Sequence, residues 1–136
     1  DFPNLFLIKE AAPNILQYFD ILRQKPEGFN LVSGDDEYTL PVTLAGGNGV
    51  ISVIGQGYPK EFSTMVQLAF DGKVKEAYEI HNKLVEITRL IFAEGNPAGI
   101  KTVLAEKGII KNYLRLPLVA ASAGLQEKIK SEMTKI

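Results

Sequence analysis

Lys9 closes an apolar run, Leu5-Phe6-Leu7-Ile8, that reads as a short strand buried on both faces, with Pro3 ahead of it and a turn at Pro13-Asn14 behind. A buried ammonium loses its hydration, so a lysine in this place has two readings. In one, its stem covers apolar surface while its head stays in water. In the other, an amine held away from water supplies the nucleophile that attacks a carbonyl and forms a Schiff base. Asp35 and Asp36 follow a second apolar stretch, Phe29 to Ser33. One of them is expected to cap a helix beginning near Glu37 and the other to be solvated, or else a carboxylate or the Gly34 backbone stands at a pocket rim. Ser33 and Ser52 have no histidine partner, which argues against a nucleophilic serine. His81 sits mid-helix without neighbours at metal-ligand spacing, so no metal site is expected. Tyr38 and Tyr58 are either proton relays or packing residues.

Placing these groups together takes three strands: Leu5 to Glu10, Phe29 to Ser33, and Gly49-Val50-Ile51-Ser52-Val53. Between the first two, Ile15, Phe19 and Leu22 fall on one helix face while Gln17, Asp20 and Arg23 face away. A shorter helix is predicted over 37–44, ended by Gly46-Gly47-Asn48-Gly49. Strands separated by single helices are successive right-handed βαβ units, so the three should be parallel neighbours. Beyond Val53 the pattern is helical. Phe62, Met65, Val66, Ala69 and Phe70 make one amphipathic face, and Ala77, Ile80, Leu84, Ile87 and Ile91 stripe a long helix over 73–93. Asn96-Pro97 reads as an N-cap with proline at the first helical position, Gly108 as a terminator, and Ser122 as the cap of a last helix lined by Leu125, Ile129, Met133 and Ile136.

Three such strands need cover on both faces and leave open edges, so they fit an α/β fold that is the C-terminal part of a (β/α)8 barrel, an architecture of about 250 residues. Residues 1–57 would supply its last three βα strands, and 58–136 the helical remainder with a C-terminal helical extension. A small doubly wound domain is the alternative, but no strand is followed by the G-x-G-x-x-G spacing of a phosphate-binding turn. In a barrel the C-terminal strand ends converge on one mouth, which gathers Lys9, the 33–36 segment and the 51–53 segment. The opening at Asp1, without a methionine and directly ahead of a strand, is what a piece cut from a longer chain would show.

The composition narrows the partners. A chain of 136 residues with 46% hydrophobic and 23% charged residues suits one globular unit. Its formal net charge of −1 gives no basic footprint for nucleic acid and no patch for a membrane surface. With no cysteine, thiolate chemistry is excluded and a cytoplasmic location is the expectation.

The segments L-I-K-E-A (Leu7 to Ala11), L-V-S-G-D-D (Leu31 to Asp36), G-G-N-G-V-I-S-V (Gly46 to Val53), E-G-N-P-A-G-I-K (Glu94 to Lys101) and L-R-L-P (Leu114 to Pro117) together resemble the C-terminal half of the dihydrodipicolinate synthase family. The resemblance implies a pyruvate-dependent Schiff-base lyase that condenses pyruvate with aspartate semialdehyde in lysine biosynthesis and needs no cofactor. It makes Lys9 the Schiff-base lysine, puts the main-chain carbonyl of Ile51 near bound pyruvate, and sets Gly34 and Asp35 at the pocket edge. Relatives that cleave N-acetylneuraminate use the same lysine, so the aldehyde is the open part of this reading. A non-catalytic half-barrel serving as an assembly module is the alternative from another class. The resemblance also implies a homo-oligomer, dimer or tetramer, and an N-terminal half-barrel that carries the proton-shuttling groups. Without a positioned acid or base the rate falls about 10²–10⁴-fold, so the chain alone is expected to be inactive. Gly95, Ala98 and Gly99, and Ile54-Gly55-Gln56, depart from the family pattern and bear on contacts with the second substrate.

Overall fold

In the computed structural model, which describes residues 4–136, three strands pair in parallel: β1 (Leu7–Glu10), β2 (Asn30–Ser33) and β3 (Gly49–Val50). Asp1 and Pro3, which figured in the reading of the first strand, lie outside the described residues. The order is β1-β2-β3, with Lys9 opposite Val32, Glu10 opposite Ser33, and Ser33 opposite Val50. The central strand is the buried one, at Leu31, Val32 and Ser33.

β1 differs from expectation. Leu5, Phe6, Leu7 and Ile8 are exposed, not buried on both faces, because among the described residues β1 is an edge strand that pairs only with β2. β3 is also shorter than predicted and ends at Val50. The N–H groups of Val53 and Ile54 turn onto the Asp36 carboxylate instead of prolonging the ladder, and the chain enters a 3₁₀ turn over Ile54–Gln56.

The helix α1 (Ile15–Gln24) starts at Asn14, whose side-chain oxygen accepts from the Leu16 N–H at 3.2 Å. Its buried arc is centred on Tyr18, which packs with Leu31 and Val42. Phe19, expected in the core-facing stripe, therefore falls at the edge of that arc and is 40% exposed. α2 (Thr39–Leu44) begins two residues later than predicted, since Glu37 and Tyr38 belong to the turn that leads into it. Gly46, at φ +103°, ends it in a conformation that side-chain-bearing residues rarely adopt.

α3 (Pro59–Phe70), α4 (Val74–Phe92), α5 (Ala98–Glu106) and α6 (Ala123–Met133) complete the chain. A continuous core joins Leu40 and Ile54 to Met65, Ile87, Ile91, Ile100, Val103, Leu125 and Ile129. Each fully buried aliphatic side chain there contributes about 1.5–3 kcal/mol. Ser122 caps α6, its Oγ accepting from the Leu125 N–H at 3.2 Å, while Ile136 lies beyond the helix and is 38% exposed. Pro97, not Asn96, occupies the cap position of α5, and the helix begins one residue later than predicted, at Ala98. Among the described residues, no helix is long and apolar enough to cross a membrane.

Candidate active site

The C-terminal edge of the sheet brings together Lys9, the Ser33-to-Asp36 turn and Ile51. Lys9 leaves β1 one residue before its end, and its exposed side chain lies across Gly34, where a β-carbon would overlap the lysine Cε and come within 2.7 Å of the Ala11 Cβ. The two strand ends are tied at the same point by Gly34 N–H donating to the Glu10 carbonyl at 2.7 Å. Glu10 points to the other face. Its carboxylate accepts from the Ala12 N–H at 2.7 Å and from the Gln17 side chain at 2.5 Å, which fixes the turn into α1.

The Ser33-to-Asp36 turn is held by its own side chains. Ser33 Oγ donates to the Asp35 carbonyl at 2.7 Å and accepts from the Asp35 N–H at 3.2 Å. Asp35 Oδ1 accepts from the N–H groups of Glu37 and Tyr38 at 2.9 and 3.1 Å, so Asp35 holds the turn ahead of α2, whose own N-cap, Tyr38, makes no side-chain cap bond, contrary to the expected aspartate cap. Asp36 is not solvated, as the other member was expected to be. It is 3% exposed, and its carboxylate accepts from the Val53 N–H at 3.0 Å and the Ile54 N–H at 2.8 Å. Burial pushes its carboxyl above the ordinary aspartate value, against the opposing pull of the Ser52 hydroxyl and the two N–H donors.

Ile51 follows β3 and donates its N–H to the Ser33 carbonyl at 2.8 Å. Its side chain is half exposed, and among the described residues no donor bonds its carbonyl oxygen. Lys9 and Gly34 are thus in contact, Asp35 shares their turn, and Ile51 stands at the end of the next strand.

The remaining candidates are structural. Ser52 Oγ accepts from the Gly55 N–H at 2.8 Å inside the turn. Tyr38 packs edge-on against Tyr18 at 5.8 Å, and Tyr58 is buried beneath the Lys107 ammonium, 3.8 Å from its ring centre. Burial pushes the Tyr58 hydroxyl up.

Beside this edge opens a cavity of about 460 Å³, between Ala11, Gly34 and Asp35 on the sheet side and Thr88, Arg89 and Phe92 on α4. Arg89 closes it with a two-pronged contact to Glu37, Nε to Oε2 at 3.2 Å and the second nitrogen to Oε1. The guanidinium holds the Glu37 carboxyl below its ordinary value. Sequence reasoning missed Arg89, Glu37 and the buried role of Asp36. The adjacent pair Asp35-Asp36 was a signal, but nothing in the pattern told which carboxylate would turn inward.

Parallel strands whose C-terminal ends gather a lysine, a glycine turn and a free carbonyl, backed by helices in this order, define a piece of a (β/α)8 barrel. The chain belongs to the dihydrodipicolinate synthetase family, whose model matches residues 1–136. A 4-hydroxy-tetrahydrodipicolinate synthase of Flavobacterium psychrophilum is 50% identical over 129 residues, covering 95% of this chain and 44% of that relative. The crystal structure of dihydrodipicolinate synthase from Thermotoga maritima superposes with a TM-score of 0.95 at 35% identity, over 99% of this chain and 47% of that one. The chloride-inhibited enzyme from Acinetobacter baumannii, solved in complex with pyruvate, superposes with a TM-score of 0.94 at 27% identity, over 99% of this chain and 46% of that one. The chain thus spans under half the length of the proteins it matches.

Proposed function

We propose that this chain is the C-terminal part of a 4-hydroxy-tetrahydrodipicolinate synthase and that Lys9 is the residue that forms the Schiff base with pyruvate. The observation that carries the reading is the packing of Lys9 across Gly34 at the C-terminal edge of the sheet, where barrel enzymes hold their reacting groups. The amine attacks the pyruvate keto carbon, water leaves, and loss of a proton from the methyl group gives an enamine that adds to the aldehyde of aspartate semialdehyde. In this reading the Ile51 carbonyl accepts a hydrogen bond near the bound pyruvate, and Gly34 and Asp35 form the pocket edge. Residues 1–57 act as the last strands of the barrel, and 58–136 as its helical cover and extension. The proton-moving groups belong to a preceding half-barrel, so the 136-residue chain does not turn over by itself. Assembly into a homo-oligomer and a cytoplasmic location belong to the same proposal.

Borohydride reduction in the presence of pyruvate tests it. In the full-length protein the peptide containing Lys9 should gain a reduced pyruvyl group, and condensation of pyruvate with aspartate semialdehyde should proceed. An unmodified Lys9 in an otherwise active protein would overturn the assignment.

A further inference from the structure

Asp36 is a carboxylate buried to 3% exposure that accepts from the backbone N–H groups of Val53 and Ile54, with no cation paired to it among the described residues. A carboxylate taken so far from water without a counter-ion is costly, so the groups it holds matter. Those groups, Val53 and Ile54, lie two and three residues beyond Ile51, whereas Asp36 itself lies directly beyond Gly34 and Asp35. One side chain therefore ties together the two turns at the sheet's C-terminal edge.

The ladder shows what the tie does to Ile51. Ile51 N–H donates to the Ser33 carbonyl, and a continuing parallel ladder would bring the Asp35 N–H to the Ile51 carbonyl. That does not happen. The Asp35 N–H is taken by Ser33 Oγ at 3.2 Å, and the chain after Ile51 is drawn aside by Asp36. The Ile51 peptide is thus anchored before its carbonyl by the Ser33 bond and after it by the Asp36 carboxylate, with its oxygen left unbonded among the described residues.

We infer that Asp36 is a positioning residue that holds the Ile51 carbonyl free and aimed for the bound pyruvate, an inference that rests on the reading of Lys9 and Ile51 given above. The raised carboxyl value at Asp36 agrees with a group set by burial and hydrogen bonding, not by ion pairing.

The test is the rate of borohydride-trapped adduct formation at Lys9 in the full-length protein, measured per folded molecule, together with kcat and KM for pyruvate. Asp36 Oδ2 accepts both anchors, from Val53 N–H at 3.0 Å and Ile54 N–H at 2.8 Å, so Asp36→Ala removes both, whereas Asp36→Asn can keep both on its amide oxygen and should retain the rates. The expected result for Asp36→Ala is a fall of about 10–100-fold in kcat/KM for pyruvate and in the trapping rate, the scale of a misplacement near 1 Å. Ile129→Ala, in the buried core on α6, should lower the melting temperature and leave both rates unchanged. If Asp36→Ala lowers only the melting temperature, as Ile129→Ala does, the inference is overturned. Should Asp36→Ala fail to fold, Asp36→Ser leaves one shorter hydroxyl acceptor in place of the carboxylate that holds both N–H groups. It should slow trapping in the same direction, and an unchanged rate would overturn the inference equally. No adduct in the unsubstituted protein would sink the Lys9 reading instead, and this one with it.

Discussion

Gly34 and Lys9 pack so closely that a β-carbon on Gly34 would overlap the lysine's Cε. The Ala11 Cβ at 2.7 Å and the Glu10 carbonyl at 3.2 Å close off the other directions, so the added methyl has no free space and the lysine stem is the part that can give way. Gly34→Ala should therefore swing Lys9 off the sheet edge. In the full-length protein, pyruvate adduct formation should fall by at least about tenfold, while the melt reports an overpacking cost of about 1–3 kcal/mol. Trapping at the unsubstituted rate would show that Lys9 does not react from this position.

His81, the only histidine in the chain, gives a single resonance to follow. It is half-buried on α4, edge-on to Tyr78 at 5.7 Å, and burial lowers its pKa from the ordinary 6.5, with Arg89 pushing the same way and Glu37 opposing. Because the folded value is depressed, the unfolded chain binds more protons in the window just below 6.5. Stability from this site is present above that pH and is lost as pH falls through the folded value. Proton NMR should show titration below 6.5, moving up in Arg89→Ala and further down in Glu37→Gln. Shifts in the opposite directions would mean that the Glu37–Arg89 pair does not act on His81.

The parts of the fold that depend on local pattern were legible in the sequence, and those set by distant contacts were not. The stripe through Ala77, Leu84, Ile87 and Ile91 shows up as the buried face of α4 because its period is intrinsic to the helix. The strand end at Lys9 and the parallel order follow from the β-α alternation. The apolar run Leu5 to Ile8 implied cover on both faces, but a residue pattern cannot tell whether the covering chain is present. Phe19 and Tyr18 are both apolar enough for the core, and only contact with Leu31 and Val42 selects Tyr18. Likewise, Asp35 and Asp36 are chemically identical. Which one holds the turn before α2 and which turns inward is decided by the N–H groups of Val53 and Ile54, 17 and 18 residues away from Asp36.

Tyr18 is fully buried and its hydroxyl has no hydrogen-bond partner among the described residues, with the Ser33 side chain near it but engaged with Asp35. Burial pushes its pKa from 10.0 to about 12. The folded state thus holds the phenolic proton more tightly than the unfolded chain. The stability from this group is complete below pH 10 and is lost as pH rises towards about 12. Tyr18→Phe removes an unpaired polar atom and keeps the ring against Tyr38, so it should be neutral or stabilising by up to about 1 kcal/mol at neutral pH. Denaturant melts at pH 7 and pH 11 check this. The unsubstituted chain should lose more stability between the two than the variant, and a large loss at pH 7 in Tyr18→Phe would show that the hydroxyl is bonded after all.

Gly99 marks the closest approach of two helices, since a β-carbon there would overlap the Ile91 backbone of α4. The obstacle is main chain on both sides, unlike the flexible lysine stem facing Gly34, so relief requires α5 to move away from α4. Ile100 and Val103 lie in the same core as Ile87 and Ile91, and a displaced α5 would also thin that packing. Helix propensity works in the opposite direction, because alanine is favoured over glycine by up to about 1 kcal/mol in a helix, less here because Gly99 is the second residue of α5. The overlap should outweigh this gain, since inserted methylenes in packed cores cost about 1–3 kcal/mol, occasionally more, even where side chains can adjust. Gly99→Ala should therefore lower the denaturation midpoint at unchanged slope. An equal or raised midpoint would mean that α5 can slide along α4 and that propensity decides the outcome. Gly124, on α6 with open space around its position, is the control. There alanine meets nothing within 4 Å, and the same propensity gain should appear as a stabilisation.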